Sequence, residues 1–313
     1  MVVKRARSIV VYVLKPFVAM WFWGVRWQKH NELLRWLKND KVGKPSKLAP
    51  PFIFSGRAMR WVISIWQHAF TEYALRRYEI YLKQHYSTEG PGYFDYDALT
   101  DEECIDLFDG DESRLSYYID HNQSILRYKD GDSFLDAGCG RGQNIKGLVH
   151  RYPNSTIKGL DVNSGALRVI QMALKSQTNV QVEVGSIVDL TYMGKYPENS
   201  IDHVVVSHVF SFLVARGIEE TKKLRQTAID QLLRIAKKTV IIMDTNIWKD
   251  DEDAELVIEQ NTRCFFKESL APYYSDYLDR GELYLAFSPE DKAFIFRLNF
   301  NEKNDPIKTT KSI

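Results

Sequence analysis

The pattern of apolar positions changes a third of the way along the chain. From Ser113 onward, short apolar runs alternate with amphipathic stretches. The runs Ser133–Asp136, Thr156–Leu160, Val180–Val184, His203–Ser207 and Thr239–Met243 predict five strands. Between them, apolar residues recur three and four apart and predict helices near 143–151, 164–176 and 217–237. Ser113–Tyr128 reads as one further helix, packing through Leu115, Tyr118, Ile119, Ile125 and Leu126 and closed by Gly131 and Asp132. Alternating strand and helix predicts a parallel sheet with helices on both faces. Two last strand patterns, Glu282–Phe287 and Ala293–Phe300, are joined only by Ser288 to Lys292. So short a connection makes an antiparallel hairpin. The predicted fold is α/β: a doubly wound, seven-stranded, mostly parallel sheet with a reversed strand in a C-terminal hairpin, plus an N-terminal helical module.

The front of the chain has a different texture. Residues 8–25 are largely apolar, but Lys15 and Pro16 interrupt them. The run is short of the roughly 20 apolar residues of a spanning helix, and it lacks a signal-peptide cleavage pattern. Lys44-Pro45-Ser46 and Pro50-Pro51 read as linker. From Arg57, the spacing of Val62, Ile65, Trp66, Ala69, Phe70, Tyr73 and Leu75 predicts a helix to about His85, stopped by Gly90-Pro91-Gly92. Residues 93–112 read as irregular and acidic, with Asp101, Glu102 and Glu103 as solvated loop or helix-start charges.

Charge sharpens this division. Residues 1–47 carry 11 Lys/Arg and 2 Asp/Glu, a net of +9, and the remainder carries a net of −8. Clustered phosphate-binding cations are therefore missing from the body, which argues against a nucleic-acid partner. Six of the seven tryptophans fall in the first 66 residues, the early ones among Lys and Arg. Trp beside basic residues suits a segment lying on an anionic membrane surface. A spanning helix, or helices packed on the body or in a homo-oligomer interface, are the other readings of this segment. The expected division is a membrane-interface segment at 1–47, a helical module or lid at 48–112, and the sheet domain at 113–313. Cys104, Cys139 and Cys264 lie far apart with no ligand spacing, so no metal site is expected. Scattered free cysteines fit a reducing, cytoplasmic compartment, and inert buried thiols explain them equally well.

The chemistry gathers where strands end. Asp136-Ala137-Gly138-Cys139-Gly140-Arg141-Gly142 closes the first strand and opens a helix. Glycines permit the sharp turn, and bare N–H groups at a helix start can face a carboxylate or phosphate. In open α/β sheets, ligands bind at the carboxyl ends of strands. Those ends are 136–142, Asp161–Asn163, Gly185–Ile187, Ser207–His208 and Asp244–Asn246. Asp161, 25 residues past Asp136, can accept hydrogen bonds from ribose hydroxyls or cap a helix.

The stretch 136–142, Gly159-Leu160-Asp161-Val162-Asn163, Gly185-Ser186-Ile187 with Asp189-Leu190, and 201–207 occur in order ahead of the hairpin. Together they resemble the class I S-adenosylmethionine-dependent methyltransferases over roughly residues 113–300. The glycines are spaced G-x-G-x-G, unlike the G-x-G-x-x-G of dinucleotide oxidoreductases, the rival of the same fold. The resemblance implies S-adenosylmethionine as cofactor. It implies that Gly138, Gly140 and Ser207 lie by its methionine part and that Asp136 reaches its amino group. Asp161 would hold the ribose, and Val162, Ser186 and Ile187 would lie around the adenine. Ser186 stands where the family often has an acidic residue.

A hydroxyl acceptor needs its proton removed. His208, after the fourth strand, is the candidate base, with Asp244 to orient it or act itself. His203, inside the strand, is expected to be packed away. With the tryptophan-rich front, the expected function is O-methylation of a sugar hydroxyl in a cell-surface glycan or lipid-linked saccharide, from the inner face of the cell membrane. A lipid or quinone methyltransferase and a non-catalytic cofactor-binding scaffold are the alternatives.

Overall fold

A computed structural model describes residues 75–76, 79–80, 95–110, 113–245, 282–287 and 291–298, except for the side chains of 244, 245, 285, 287, 291 and 292. The expected segment 1–47 lies outside the described residues. Of the helix expected from Arg57 to His85, Leu75, Arg76, Glu79 and Ile80 are described, and they are helical.

A 3-10 turn at Tyr96–Ala98 leads into α1 (Asp101–Asp109), α2 (Arg114–His121) and α3 (Gln123–Leu126). The alternating body follows: β1 (Ser133–Ala137), α4 (Gln143–Arg151), β2 (Thr156–Asp161), α5 (Ser164–Ala173), β3 (Val180–Val184), α6 (Leu190–Met193), β4 (Ile201–Ser207), α7 (Ile218–Ile235) and β5 (Ala236–Thr245). The hairpin is β6 (Leu283–Phe287) and β7 (Asp291–Arg297). The strands form one seven-stranded sheet in the order β3-β2-β1-β4-β5-β7-β6. Neighbours β1 to β5 pair in parallel, and β7 runs antiparallel to both β5 and β6. The fold expected from the sequence is the one observed in these strands.

Successive side chains on a strand point to opposite faces, and two cores result. Leu135, Val204, Val206, Val240 and Ile242 pack on Ile229 and Leu232 of α7. Phe134, Val205 and Ile241 pack on the other face with Ile145 and Leu148 of α4 and Leu167 and Ile170 of α5. Leu115 and Tyr118 of α2 and Phe108 of α1 complete that second layer.

Among the differences from the sequence reading, two have a visible local cause. The acidic stretch near residue 100 is a helix, not an irregular segment. Thr100 accepts from the Glu103 N–H and the Glu103 carboxylate accepts from the Thr100 N–H, a reciprocal cap that starts α1. The single helix read over Ser113–Tyr128 is two, broken at Asn122. The Asn122 side-chain amide and backbone N–H both donate to the Tyr118 carbonyl, and Arg127 then turns left-handed at φ 51°. An Asn side chain that competes for backbone acceptors ends a helix in this way.

Candidate functional site at the carboxyl ends of the strands

The glycine turn is fastened to the end of β2. Gly138 and Cys139 donate to the Leu160 carbonyl at 2.6 and 3.0 Å. Gly140 donates to Asp161 Oδ2 at 2.8 Å, while Asp161 Oδ1 accepts from Asn163 at 2.9 Å. Asn163, not Asp161, caps α5 by accepting from Ala166. Asp161 keeps lone pairs for further donors, because a carboxylate accepts about four hydrogen bonds. Two of the glycines are required for different reasons. Gly138 sits at φ +83°, and a Cβ there would fall 2.1 Å from Val209 Cγ2. Gly140 sits at φ +52° with nothing within 4 Å of a Cβ, so the turn leaves open space on that side.

Asp136 is the least satisfied group of the site. It is fully buried, Asn144 Nδ2 donates to its Oδ1 at 3.3 Å, and its Oδ2 has no hydrogen-bond partner among the described residues. Burial, opposed by the Asn144 amide and reinforced by Asp161, pushes its carboxyl up to about 7. A buried carboxyl oxygen with no donor fits a ligand that brings an ammonium or amino group. Asn144, which the sequence reading left out of the site, also accepts from the Leu115 N–H at 3.4 Å and so ties the start of α2 to Asp136. Its signal is its place in the first turn of α4, facing back toward the strand it follows. The Cys139 thiol is buried and pushed far up by burial and by Asp136 and Asp161, which keeps it protonated.

The other expected cofactor residues are distributed around the turn. Val162 is 70% exposed at the end of β2, an unusual exposure for valine and suited to a flat apolar partner. Ile187 is instead buried within the core on the α7 face. Ser186 Oγ accepts from the Val188 N–H at 3.4 Å. Asp189 caps α6 through Thr191 and Tyr192.

Beside the turn, β4 ends at Ser207, and His208 takes the left-handed conformation at φ 58°. Its N–H donates to the Met243 carbonyl at 3.0 Å, and its carbonyl accepts from Ser211 Oγ at 3.2 Å. The loop that follows is held from below by α7. Arg225 Nε donates to the Leu213 carbonyl at 3.0 Å, and Thr221 Oγ1 bonds the Ala215 backbone. A non-glycine residue fixed in this region by its surroundings is a common mark of a functional position.

Arg114 Nη1 lies 2.8 Å from His208 Nε2. The sequence reading missed Arg114, although a cue existed. It is the first residue of α2, where the helix dipole disfavours a cation, and no acidic residue stands in that turn. A residue that contradicts its local setting is a candidate for function.

His203 is packed away as expected, fully buried at the opposite end of the sheet. Asp244 is next to last in β5, its backbone paired with Lys292, and its side chain lies outside the described residues. Among the described residues, no group of three or more His, Cys, Asp or Glu is placed to hold a metal ion, and no helix is long and apolar enough to cross a membrane.

Residues 134–237 match the family described as "Methyltransferase domain". That span runs from β1 into β5 and includes Asp136, Asp161 and His208, but not Arg114 or Asp244. The chain is 44% identical over 41 residues to the uncharacterized phycocyanin operon protein W of Pseudanabaena tenuis, which is 13% of this chain and 39% of that protein. It thus spans about two fifths of the length of the curated relative it matches. Among solved structures it is similar to a SAM dependent methyltransferase from Aquifex aeolicus, at 15% identity over 64% of this chain and 98% of that one, with a TM-score of 0.43. It is also similar to the plantazolicin methyltransferase BamL, solved in complex with a triazolic desmethylPZN analog and SAH, at 14% identity over 72% and 96%, with a TM-score of 0.43.

Proposed function

We propose that this chain, whose residues 134–237 match a methyltransferase domain, is a class I S-adenosylmethionine-dependent enzyme that methylates a sugar hydroxyl of a cell-surface glycan or lipid-linked saccharide presented at a membrane. The observation that carries the cofactor half is the buried Asp136 Oδ2, left without a donor beside an open glycine turn. The acceptor half is supported by the basic, tryptophan-rich residues 1–47, whose composition suits an anionic lipid surface. When bound, the cofactor supplies a methyl group already activated on a sulfonium.

The chain's own residues bind, orient and deprotonate. Asp136 accepts from the amino end of the cofactor, with Gly138, Gly140 and Ser207 near its methionine part. Asp161, braced by the Gly140 and Asn163 N–H groups, accepts from the ribose. Val162 and Ser186 lie toward the adenine, next to Ile187, which is buried in the core. The fastened loop 208–215 presents His208 to the acceptor, whose hydroxyl proton it takes at Nε2. Asp244 stands on the neighbouring strand to orient it. Alignment of acceptor and methyl group does the remaining work.

His208→Ala is expected to lower turnover at least about tenfold, a conservative bound against the roughly 10²–10⁴-fold a general base contributes, while leaving adenosylhomocysteine binding intact. Turnover at the wild-type rate would remove His208 from the mechanism. Label from methyl-labelled cofactor, chased into envelope extract, identifies the acceptor. Label in polysaccharide supports the proposal, label in lipid or quinone replaces the acceptor, and no label at saturating enzyme favours a non-catalytic scaffold.

A further inference from the structure

A guanidinium has five N–H donors and no lone pair to offer. The 2.8 Å contact between Arg114 Nη1 and His208 Nε2 therefore has one polarity: Arg114 donates and Nε2 accepts. A neutral imidazole that accepts at Nε2 carries its proton on Nδ1. In this arrangement the Nε2 lone pair, which the base role needs, is occupied. The backbone of His208 is pinned at both ends, by Met243 and by Ser211, so the ring cannot leave Arg114 by moving the chain. Release then comes from the side chains, and the guanidinium is the partner that an anion draws away.

Arg114 stands where an anion would draw it. The next residue, Leu115, donates to Asn144, and Asn144 donates to Asp136. The backbone next to Arg114 and the buried Asp136 carboxyl are thus tied through one asparagine. The guanidinium and the donorless Asp136 Oδ2 offer complementary charge to a group carrying both an amine and a carboxylate. A carboxylate accepts two parallel hydrogen bonds from a guanidinium, charge to charge, and so outcompetes a neutral imidazole nitrogen.

We propose that Arg114 is a positioning residue for His208. It masks Nε2 until a carboxylate in the site takes over the guanidinium, and only then does His208 become able to accept a proton. The meaning of this release rests on the methyl-transfer reading, but the latch itself does not. The carboxylate comes either with the amino-acid end of the cofactor or with an acidic acceptor sugar. Either way, His208 stays closed to proton transfer in a site that lacks an anionic ligand.

The test is nitrogen NMR of the imidazoles in the full-length chain. Arg114→Ala gives the shift of His208 Nε2 without its arginine donor. Arg114→Lys, which keeps a cationic donor, is expected to stay near the wild type. His203 in the same spectra reports that each variant is folded. Saturating adenosylhomocysteine is expected to move the wild-type His208 Nε2 to the Arg114→Ala position. Methylthioadenosine, which lacks the amino-acid end, is expected to leave it in place. Arg114→Ala should also weaken adenosylhomocysteine at least tenfold and methylthioadenosine not at all.

If methylthioadenosine plus glucuronate moves the signal and adenosylhomocysteine does not, the latch stands and the acceptor carries the carboxylate. The latch is overturned if Arg114→Ala leaves the His208 shift at its wild-type value. It is equally overturned if neither carboxylate moves the signal. Failure of both adenosyl ligands to bind in calorimetry would sink the cofactor reading instead, and the Arg114→Ala and glucuronate spectra would still decide the latch.

Discussion

The two ends of the parallel sheet each hold an aspartate of the β1 segment and a histidine of the β4 segment, and they treat them in opposite ways. At the amino end, Asp132 Oδ2 accepts from His203 Nε2 at 2.9 Å, and His203 Nδ1 lies 2.8 Å from Thr239 Oγ1. Lys238 bridges Asp132 and Asp202, and Asp202 accepts from the Ser133 N–H and hydroxyl. Burial, only partly opposed by Asp132, holds His203 down at about 4, so the contact is a hydrogen bond from a neutral ring and not an ion pair. Burial would raise Asp132, but Lys238 and His203 outweigh it and hold the carboxyl below its usual range. At the carboxyl end, Asp136 Oδ2 lacks a donor among the described residues and His208 sits in a left-handed backbone. Polar groups that satisfy one another stabilise a fold, and polar groups left wanting are kept for a ligand.

The largest expected effect tests the satisfied end. His203 is wedged against Phe134 and Tyr128 at ring-centroid distances of 5.1 and 4.4 Å. His203→Ala removes that packing and two buried hydrogen bonds, and should cost about 3–5 kcal/mol in urea unfolding. Adenosylhomocysteine affinity should not change. His208→Ala, at a half-buried ring, should cost about 0.5 kcal/mol or less. Equal losses for the two histidines would erase the contrast.

The pH dependence of stability comes next, because the two ends pull in opposite directions. His203 has an ordinary value of 6.5 and about 4 in the fold, so between these the unfolded chain binds the extra proton. Stability from this group is present above pH 6.5 and lost as pH falls toward 4, about 3 kcal/mol in all. Asp136 is raised from 3.8 to about 7, so over the same window the folded chain takes up the proton first. Its contribution rises as pH falls, by a comparable amount. The carboxyl of Asp202, held at about 2 as its Ser133 and Lys238 partners outweigh burial, stays ionised throughout. The ligand-free wild type should therefore show a nearly flat profile from pH 6.5 to 4. Asp136→Asn should uncover the His203 limb as a fall of about 3 kcal/mol. A flat profile in that variant would show that His203 is not held neutral.

The contrast between the ends also explains what could be read from the sequence. The inner strands β1, β4 and β5 are largely buried on both faces and appear as apolar runs, β3 at the sheet edge alternates, and the polar residues that end the strands stand out. Asp136, the glycines, Asp161 and His208 are legible for that reason. Helix α1 was legible too, since Thr100 and Glu103 have the spacing of a reciprocal cap, but acidity masked it. The pairings that give each group its role are not local. Arg114 meets His208 across 94 positions and Asp132 meets His203 across 71. No periodicity records which aspartate acquires a partner. Asp132 and Asp136 differ in sequence only by the residues beside them, and in structure by the presence of a histidine and a lysine.

The smallest expected effect bears most directly on the donorless end. Asp136→Asn keeps shape and burial, and the new amide oxygen can still accept from Asn144. What it removes is a carboxylate that an incoming amino group would pair with. In the empty protein this should raise stability at neutral pH, since a buried carboxyl pushed up to about 7 is disfavoured in its ionised form. With ligand present the sign reverses. A hydrogen bond to a charged partner is worth about 1.5–3 kcal/mol, so adenosylhomocysteine should bind about ten- to a hundredfold more weakly. Methylthioadenosine, without the amino group, should bind the variant as it binds the wild type. A site variant that gains stability while losing only the amino-acid-bearing ligand is the signature of a group held unsatisfied for binding. Asp136→Asn that loses stability and binds both ligands unchanged would make Asp136 a structural residue like Asp132.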